Sequence, residues 1–209
     1  MAVTVLLGKA GGGKSTQCYR EIQACAAAGG KALLLVPDQA TYGAERHLAE
    51  HSEGQGFIGT QVVGFSRLAY NVFQERGLAH ASLSELARKI ILQRLLHKGE
   101  KEFSVLQTAA RQPNFADTAG RFLWECRSFC VTPDALRKAA EAVPNPTLSH
   151  KLEDISRLYG AYQDFLADHF GSADDTMTLL AREVGHYSFL QGAHVWVDGF
   201  QWFTPQQME

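Results

Sequence analysis

The chain reads as an α/β protein whose parallel sheet is interrupted by an all-helical insertion, and three observations predict it. Short apolar runs alternate with helical patterns over residues 1–80, strand signals vanish over 81–185, and an apolar run returns at 193–198. Continuous apolar runs, as opposed to alternating ones, suit strands buried on both faces of a parallel sheet. Strands alternating with helices imply right-handed crossovers between parallel neighbours. The expected division is therefore a strand–helix domain over 1–80 and 186–209, with a helical subdomain over 81–185.

Val3-Thr4-Val5-Leu6-Leu7 predicts the first strand, and a helical pattern runs from Thr16 to Ala28. After Gly29-Gly30, the run 31–37 predicts a second strand, and 39–51 returns to helical spacing. A Gly-rich loop leads to a third strand over 61–65, followed by a helix over 66–74 with Leu68, Ala69, Val72 and Phe73 as its apolar face. In the middle region Ser84 and Glu85 open a helix carrying Leu86, Ile90, Ile91, Leu95 and Leu96. A second helix is expected over 114–130. Thr132 followed by Pro133 is an N-cap with proline at the first helical position, opening a helix to Ala142. Pro144 to Pro146 breaks the chain, and further helices are expected over 149–170 and 175–184. The run 193–198 ends in Asp198 and Gly199, and Thr204-Pro205 caps a last helical turn.

Between the first strand and the first helix lies Gly8-Lys9-Ala10-Gly11-Gly12-Gly13-Lys14-Ser15, which satisfies G-x-x-x-x-G-K-[ST] at every fixed position. A chance match in a chain this long has a probability on the order of one per cent at average residue usage. The strand–loop–helix context makes the match a phosphate-binding loop. Glycine backbone can turn its N–H groups toward phosphate without Cβ clashes, and the helix N-terminus behind it favours negative charge. Residues 8 to 16, including Thr16, are thus the candidate nucleotide site. Lys14 is expected to reach the β- and γ-phosphates of ATP, and the Ser15 hydroxyl to take a Mg²⁺ position. Asp198, at the C-terminal end of an apolar strand, is the candidate second Mg²⁺ residue, acting through water. Gly199 follows where hydrolysing motors usually place Glu, and glycine cannot act as a base. No residue is therefore assigned a catalytic role.

Composition narrows the partners little. Net charge is −2 and 45% of the 209 residues are hydrophobic, so any nucleic-acid contact must come from a local groove. No apolar run approaches the ~20 residues of a bilayer span, and no signal-peptide layout is present, so a cytoplasmic protein without membrane association is expected. The four cysteines form no C-x-x-C pair and are expected in the core.

The order of motifs resembles the first motor domain of UvrD-like superfamily 1 helicases: the loop at 8–15, then Val36-Pro37-Asp38-Gln39-Ala40-Thr41, then Val63-Gly64-Phe65-Ser66-Arg67, then Asp198-Gly199-Phe200-Gln201. More narrowly, the loop, the phrase Val36-Pro37-Asp38-Gln39 with Ala44-Glu45 after it, and the ending Val197-Asp198-Gly199-Phe200 with Phe203-Thr204-Pro205-Gln206 are similar to the AddB/RexB family. Its members belong to bacterial ATP-dependent helicase–deoxyribonucleases that process double-stranded DNA ends for recombinational repair. The resemblance implies a RecA-like P-loop domain, ATP and Mg²⁺ as cofactors, and a helicase fold with lost motor function. It implies DNA ends and single strands as substrate, and an AddA-type helicase–nuclease as partner. It also implies that this is an N-terminal fragment, since the family's second motor-like domain, its nuclease and its iron–sulfur cluster belong to a later part of the chain. By the same resemblance Gln39, Thr41, Phe65 and Ser66 are the candidate single-strand contacts. A non-hydrolysing nucleotide-binding scaffold for DNA recognition and a P-loop kinase are the alternative readings.

Three further signals are read as structural. His47-Leu48-Ala49-Glu50-His51 matches a zinc-peptidase pattern but lacks a third ligand, so a solvated helix face is expected. Phe122, Trp124 and Phe129 are expected to pack in the core on helical spacing. Arg88, Lys89, Arg94, His97 and Lys98 are expected on a solvated face.

Overall fold

The computed structural model describes residues 2–50, 59–78, 83–112, 114–170 and 176–208. His51, Asp175 and most of the Gly-rich loop before Gly59 lie outside the described residues. The chain is an α/β protein with two compact units, Met1–Leu78 with Leu180–Trp202, and Ala79–Leu179 with Phe203–Glu209. Residues 203–209, placed with the strand–helix domain by their sequence position, thus group with the helical unit.

The first unit holds α1 (Lys14–Ala27), β1 (Lys31–Leu35), α2 (Thr41–Glu50), β2 (Thr60–Val63), α3 (Phe65–Arg76) and, after the helical unit, β3 (Ala193–Val197). Its sheet is parallel with order β2-β1-β3, Leu35 pairing with Val63 on one side and Val197 on the other. The central strand β1 is buried from Ala32 to Leu35, as its unbroken apolar run requires. Ile22 of α1, Ala44 and Leu48 of α2, and Val62 pack with Leu34 and Val36 into one core.

The first expected strand is the main departure. Residues 3–7 form no regular element, and Val3, Val5 and Leu7 are exposed, Leu7 by 89%. A strand is stable only when a neighbour's edge takes its N–H and C=O groups. Among the described residues none pairs with this run. Hydrophobicity announced a strand, but pairing decides whether it forms.

The second unit is helical: α4 (Glu85–Gly99), a short α5 (Gln107–Ala110), α6 (Phe115–Ser128), α7 (Pro133–Ala142), the long α8 (Pro146–Phe170) and α10 (Pro205–Met208). Helix α9 (Thr176–Glu183) spans the boundary between the units. Ser84 caps α4 by accepting from the Ala87 N–H at 3.2 Å, and Thr132 caps α7 by accepting from Ala135 N–H at 3.1 Å. Pro146 starts α8 instead of breaking the chain, with the Asn145 Oδ1 accepting from Leu148 N–H at 3.1 Å. Thr204 and Gln207 form a reciprocal capping box on α10, each side chain accepting from the other's backbone N–H.

Asp154 on α8 is fully buried, and its carboxylate accepts from the backbone N–H groups of Ser104, Val105 and Leu106 at 3.0, 2.7 and 3.0 Å. It fixes the loop between α4 and α5, whose Phe103 and Leu106 enter the core with Leu92, Leu96, Leu123 and Leu158. At Gly120 an added Cβ would stand 3.1 Å from the Leu92 side chain, so glycine there lets α6 approach α4 closely.

The apolar residues of α4 and the aromatics expected in the core on α6 divide between core and surface. Leu86 and Ile90 on α4 are exposed, the buried stripe being Ile91, Leu92 and Leu96. Phe122, Trp124 and Phe129 are exposed, Trp124 by 63%; the buried face of α6 is made by Ala116, Ala119, Leu123 and Cys126. Small residues set that face because α4 comes close, which turns the bulky rings outward. Cys18 and Cys126 are buried as expected, whereas Cys130 is exposed. Cys130 lies just past α6 at φ 55°, where the Val131 N–H donates back to Cys126 O at 2.7 Å, a left-handed helix ending that keeps its side chain out of the core.

Candidate nucleotide site

The loop over residues 8–13 carries the left-handed turns that its glycines allow, with φ 74° at Gly11 and 81° at Gly13. At Gly12 a Cβ would stand 3.0 Å from the Lys9 carbonyl, so a side chain there would push into the loop. Gly13 is the N-cap of α1 and offers no side-chain acceptor, and no acidic residue occupies the first turn. The exposed N-terminus of α1, with Ser15 and Thr16 on it, therefore keeps its positive end uncompensated by the chain. The Lys14 ammonium curls back to donate to Gly8 O at 3.0 Å and Lys9 O at 2.9 Å. Glycines, Ala10, an uncapped helix start and a lysine folded into the same loop are a donor set that suits phosphate oxygens.

Asp198 stands one residue beyond β3, its N–H donating to Leu35 O at 3.0 Å and extending the pairing of β3 with β1. Its charge is felt at Cys18 and Tyr19 of α1. Burial first, and then the Asp198 charge, push the Cys18 thiol and the Tyr19 phenol above their ordinary values. A second tie links the same elements: the Trp196 indole N–H donates to Glu21 at 3.0 Å, which with Gln17 holds the Glu21 carboxyl below its usual range. The structure thus brings Asp198 to the helix that carries Lys14 and Ser15. Gly199 has φ 80°, and a Cβ there would touch Pro37 at 3.4 Å. Position 199 is bent in a way that a glutamate would adopt only under strain.

The four candidate strand contacts cluster at the C-terminal ends of β1 and β2. Gln39 is exposed on a single 3₁₀ turn, and Thr41 opens α2 with its hydroxyl donating to Asp38 O at 3.0 Å. Phe65 is half-buried, edge-on to Phe200 with ring centroids 5.8 Å apart. Ser66 is exposed, but its hydroxyl and N–H both donate to the Asp38 carboxylate, at 2.7 and 3.2 Å.

Asp38 is the residue that motif order alone does not single out. It caps α3 from a distance, and an added Cβ at Gly64 would overlap its carboxylate and stand 2.8 Å from its Cα. The signal available was that Gly64, the residue before α3, carries no capping side chain of its own. His47 of the zinc-like pattern lies against Tyr19, the rings tilted by 41° with centroids 4.5 Å apart.

The family model described as ADDB, N-terminal, matches residues 5–209. The chain belongs to the AddB N-terminal family. Relatives named as the B subunit of an ATP-dependent helicase/deoxyribonuclease are 39% identical in Pelotomaculum thermopropionicum, 37% in Desulforamulus reducens and 35% in Bacillus subtilis, each aligned over 99% of this chain. The chain spans only 19%, 18% and 19% of those proteins. The AddB N-terminal match begins at residue 5 and so takes in the loop, Asp38, Gly64 and Asp198 together. No described helix is long and apolar enough to cross a membrane.

Proposed function

We propose that this chain is the nucleotide-binding part of an AddB-type helicase–deoxyribonuclease component, acting in the cytoplasm on double-stranded DNA ends beside an AddA-type partner. The observation that carries the reading is the loop over 8–13, with left-handed Gly11 and Gly13 opening an uncapped α1 toward which Asp198 projects its charge. The backbone N–H groups of the loop and the Lys14 ammonium would hold the phosphates of ATP. Ser15 directly, and Asp198 through water, would hold Mg²⁺. ATP would supply a phosphoanhydride, and what this chain's residues do is bind and orient it. Gln39, Thr41, Phe65 and Ser66 would contact a single strand at the ends of β1 and β2, Ser66 through the side not engaged by Asp38.

A non-hydrolysing variant of this reading is favoured by the φ of 80° at Gly199. The backbone there is shaped around glycine, so the base-bearing residue of hydrolysing motors is missing in conformation as well as in chemistry. Calorimetric titration with ATP and Mg²⁺ tests the assignment. Lys14→Ala is expected to weaken binding by roughly tenfold or more, the loss of a charge-assisted contact. Unchanged affinity would remove the phosphate-loop reading. Phosphate release on the same sample is expected to stay at background, and brisk release would restore an active motor.

A further inference from the structure

The helical unit carries a second candidate site, built from the side chains that the sequence pattern assigns to a solvated face and to the core. A cavity of about 550 Å³ opens between α4, α6 and α8. Its floor is apolar, made by Leu92, Leu123 and Leu166 with the buried rings of Tyr159 and Tyr162. Its rim is cationic: Arg88 and Lys89 from α4, Arg121 and Arg127 from α6, against the two carboxylates Glu85 and Asp117. Lys89 is spent on Asp117 at 2.6 Å. Among the described residues no carboxylate pairs with Arg88 or Arg121. A surplus of positive charge is thus gathered on one cavity in a chain whose net charge is −2. Trp124 lines the same cavity with its indole largely open to solvent.

An exposed indole beside two unpaired guanidinium groups is an unfavourable surface to maintain unless something uses both. Flat apolar area calls for a stacking partner, and the guanidiniums call for an anion that they can grip with paired N–H groups. One ligand unit offers both: a nucleotide, whose base stacks and whose phosphate is held by arginine. The cavity is of the size that encloses such a small unit. An acidic peptide would satisfy the cations and leave the indole without a role.

We propose that this cavity binds a nucleotide unit of single-stranded nucleic acid, its base against Trp124 and its phosphate held by Arg88 and Arg121. The site lies wholly within the helical unit and does not rest on the phosphate-loop reading. A free nucleotide presents the same chemistry, and the test separates the two sources.

The indole N–H resonances of the ¹⁵N-labelled whole chain provide the readout, since its three tryptophans fall at different places. Trp124 reports the cavity, Trp196 reports α1 through its bond to Glu21, and Trp202 lies apart from both in sequence. Trp124→Phe assigns the first signal. Titration with a short thymidylate oligomer is expected to move the Trp124 resonance saturably. The apparent affinity should fall as salt rises, with a slope of about −0.7 per phosphate neutralised. Arg88→Glu with Arg121→Glu is expected to weaken this response by about tenfold or more. Arg94→Glu makes the same charge change on α4 away from the cavity and is expected to leave the response within about twofold. Adenosine monophosphate moving Trp124 at equal affinity would assign the site to free nucleotides. Tighter oligomer binding assigns it to a strand. The proposal is overturned if the oligomer leaves Trp124 unmoved, if Arg94→Glu weakens it as much as the double variant, or if inorganic phosphate alone reproduces the shift. A shift at Trp196 under ATP, with none at Trp124 under either ATP or the oligomer, would uphold the loop reading while rejecting this one.

Discussion

The two units of the chain differ in how completely they satisfy themselves. In the helical unit, the described buried residues, Leu92, Leu96, Leu123, Leu158 and Leu166 among them, form one core, and the buried Asp154 carboxylate has three backbone donors to hold. In the strand–helix unit the strands and helices also bury their apolar faces, with Ile22, Leu33, Leu34, Val63, Val72 and Phe73 among the buried side chains, yet Val3, Val5, Leu7, Val195 and Val197 present apolar surface to solvent. Helices complete their hydrogen bonds internally, so a bundle needs only packing. Strands complete theirs only through neighbours, so a three-stranded sheet leaves two edges and whatever apolar face lies beside them. The unit with the recognisable chemistry is thus the one whose structure is less self-contained.

Breaking each unit separately is the sharpest test of this contrast. Asp154→Ala removes the acceptor for three N–H groups in a buried setting and should destabilise the helical unit by about 3 kcal/mol or more. In urea, followed through the Trp124 and Trp196 indole resonances, the Trp124 transition should move first and furthest. If Trp196 moves by the same amount, the units unfold as one body and the contrast does not hold. Gly64→Ala attacks the other unit, because the new methyl collides with the Asp38 carboxylate that caps α3. We expect a loss of about 2 kcal/mol, seen at Trp196 and not at Trp124. A neutral result would mean that the loop after β1 can shift at little expense.

Gly199→Glu should be a smaller perturbation. Placing a side chain at φ 80° strains the backbone by about 1–2 kcal/mol, and no phosphate release should appear. Gain of hydrolysis would show that the bend at 199 adapts readily and that glycine alone kept the site silent. The smallest effect concerns pH. Ser188 donates its hydroxyl at 2.6 Å and its N–H at 2.7 Å to Glu75, holding that carboxyl below its usual range. A depressed folded-state value means stability present above the ordinary ~4.3 and lost as pH falls toward the depressed one. Glu75→Gln should therefore lower stability slightly at neutral pH, leave it almost unchanged below the depressed value, and so flatten the acid limb of a denaturation profile. An unchanged acid limb would show that Glu75 plays no part in it.

Much of the layout is readable from the chain alone, for reasons that are local. The run of Ala32 to Leu35 is apolar at every position because both faces of β1 are covered, and that pattern survives without knowledge of the neighbours. Ser84, Thr132 and Pro133 mark helix starts because a cap acts within three residues. Gly11 and Gly13 announce left-handed turns because that conformational freedom belongs to the residue itself. What is not local stays hidden. Whether Val3–Leu7 becomes a strand depends on an edge supplied by distant chain, and whether Trp124 is core or surface depends on how near α4 lies, which Gly120 and the small residues of α6 decide. Asp38 reaching the start of α3, Asp154 holding the loop before α5, and Arg88 and Arg121 lining one cavity each bring together residues tens of positions apart. Sequence determined most of the helices and the strands from β1 onward; only tertiary structure decided whether the first apolar run pairs and which faces meet, because contact between distant segments leaves no periodicity in either one.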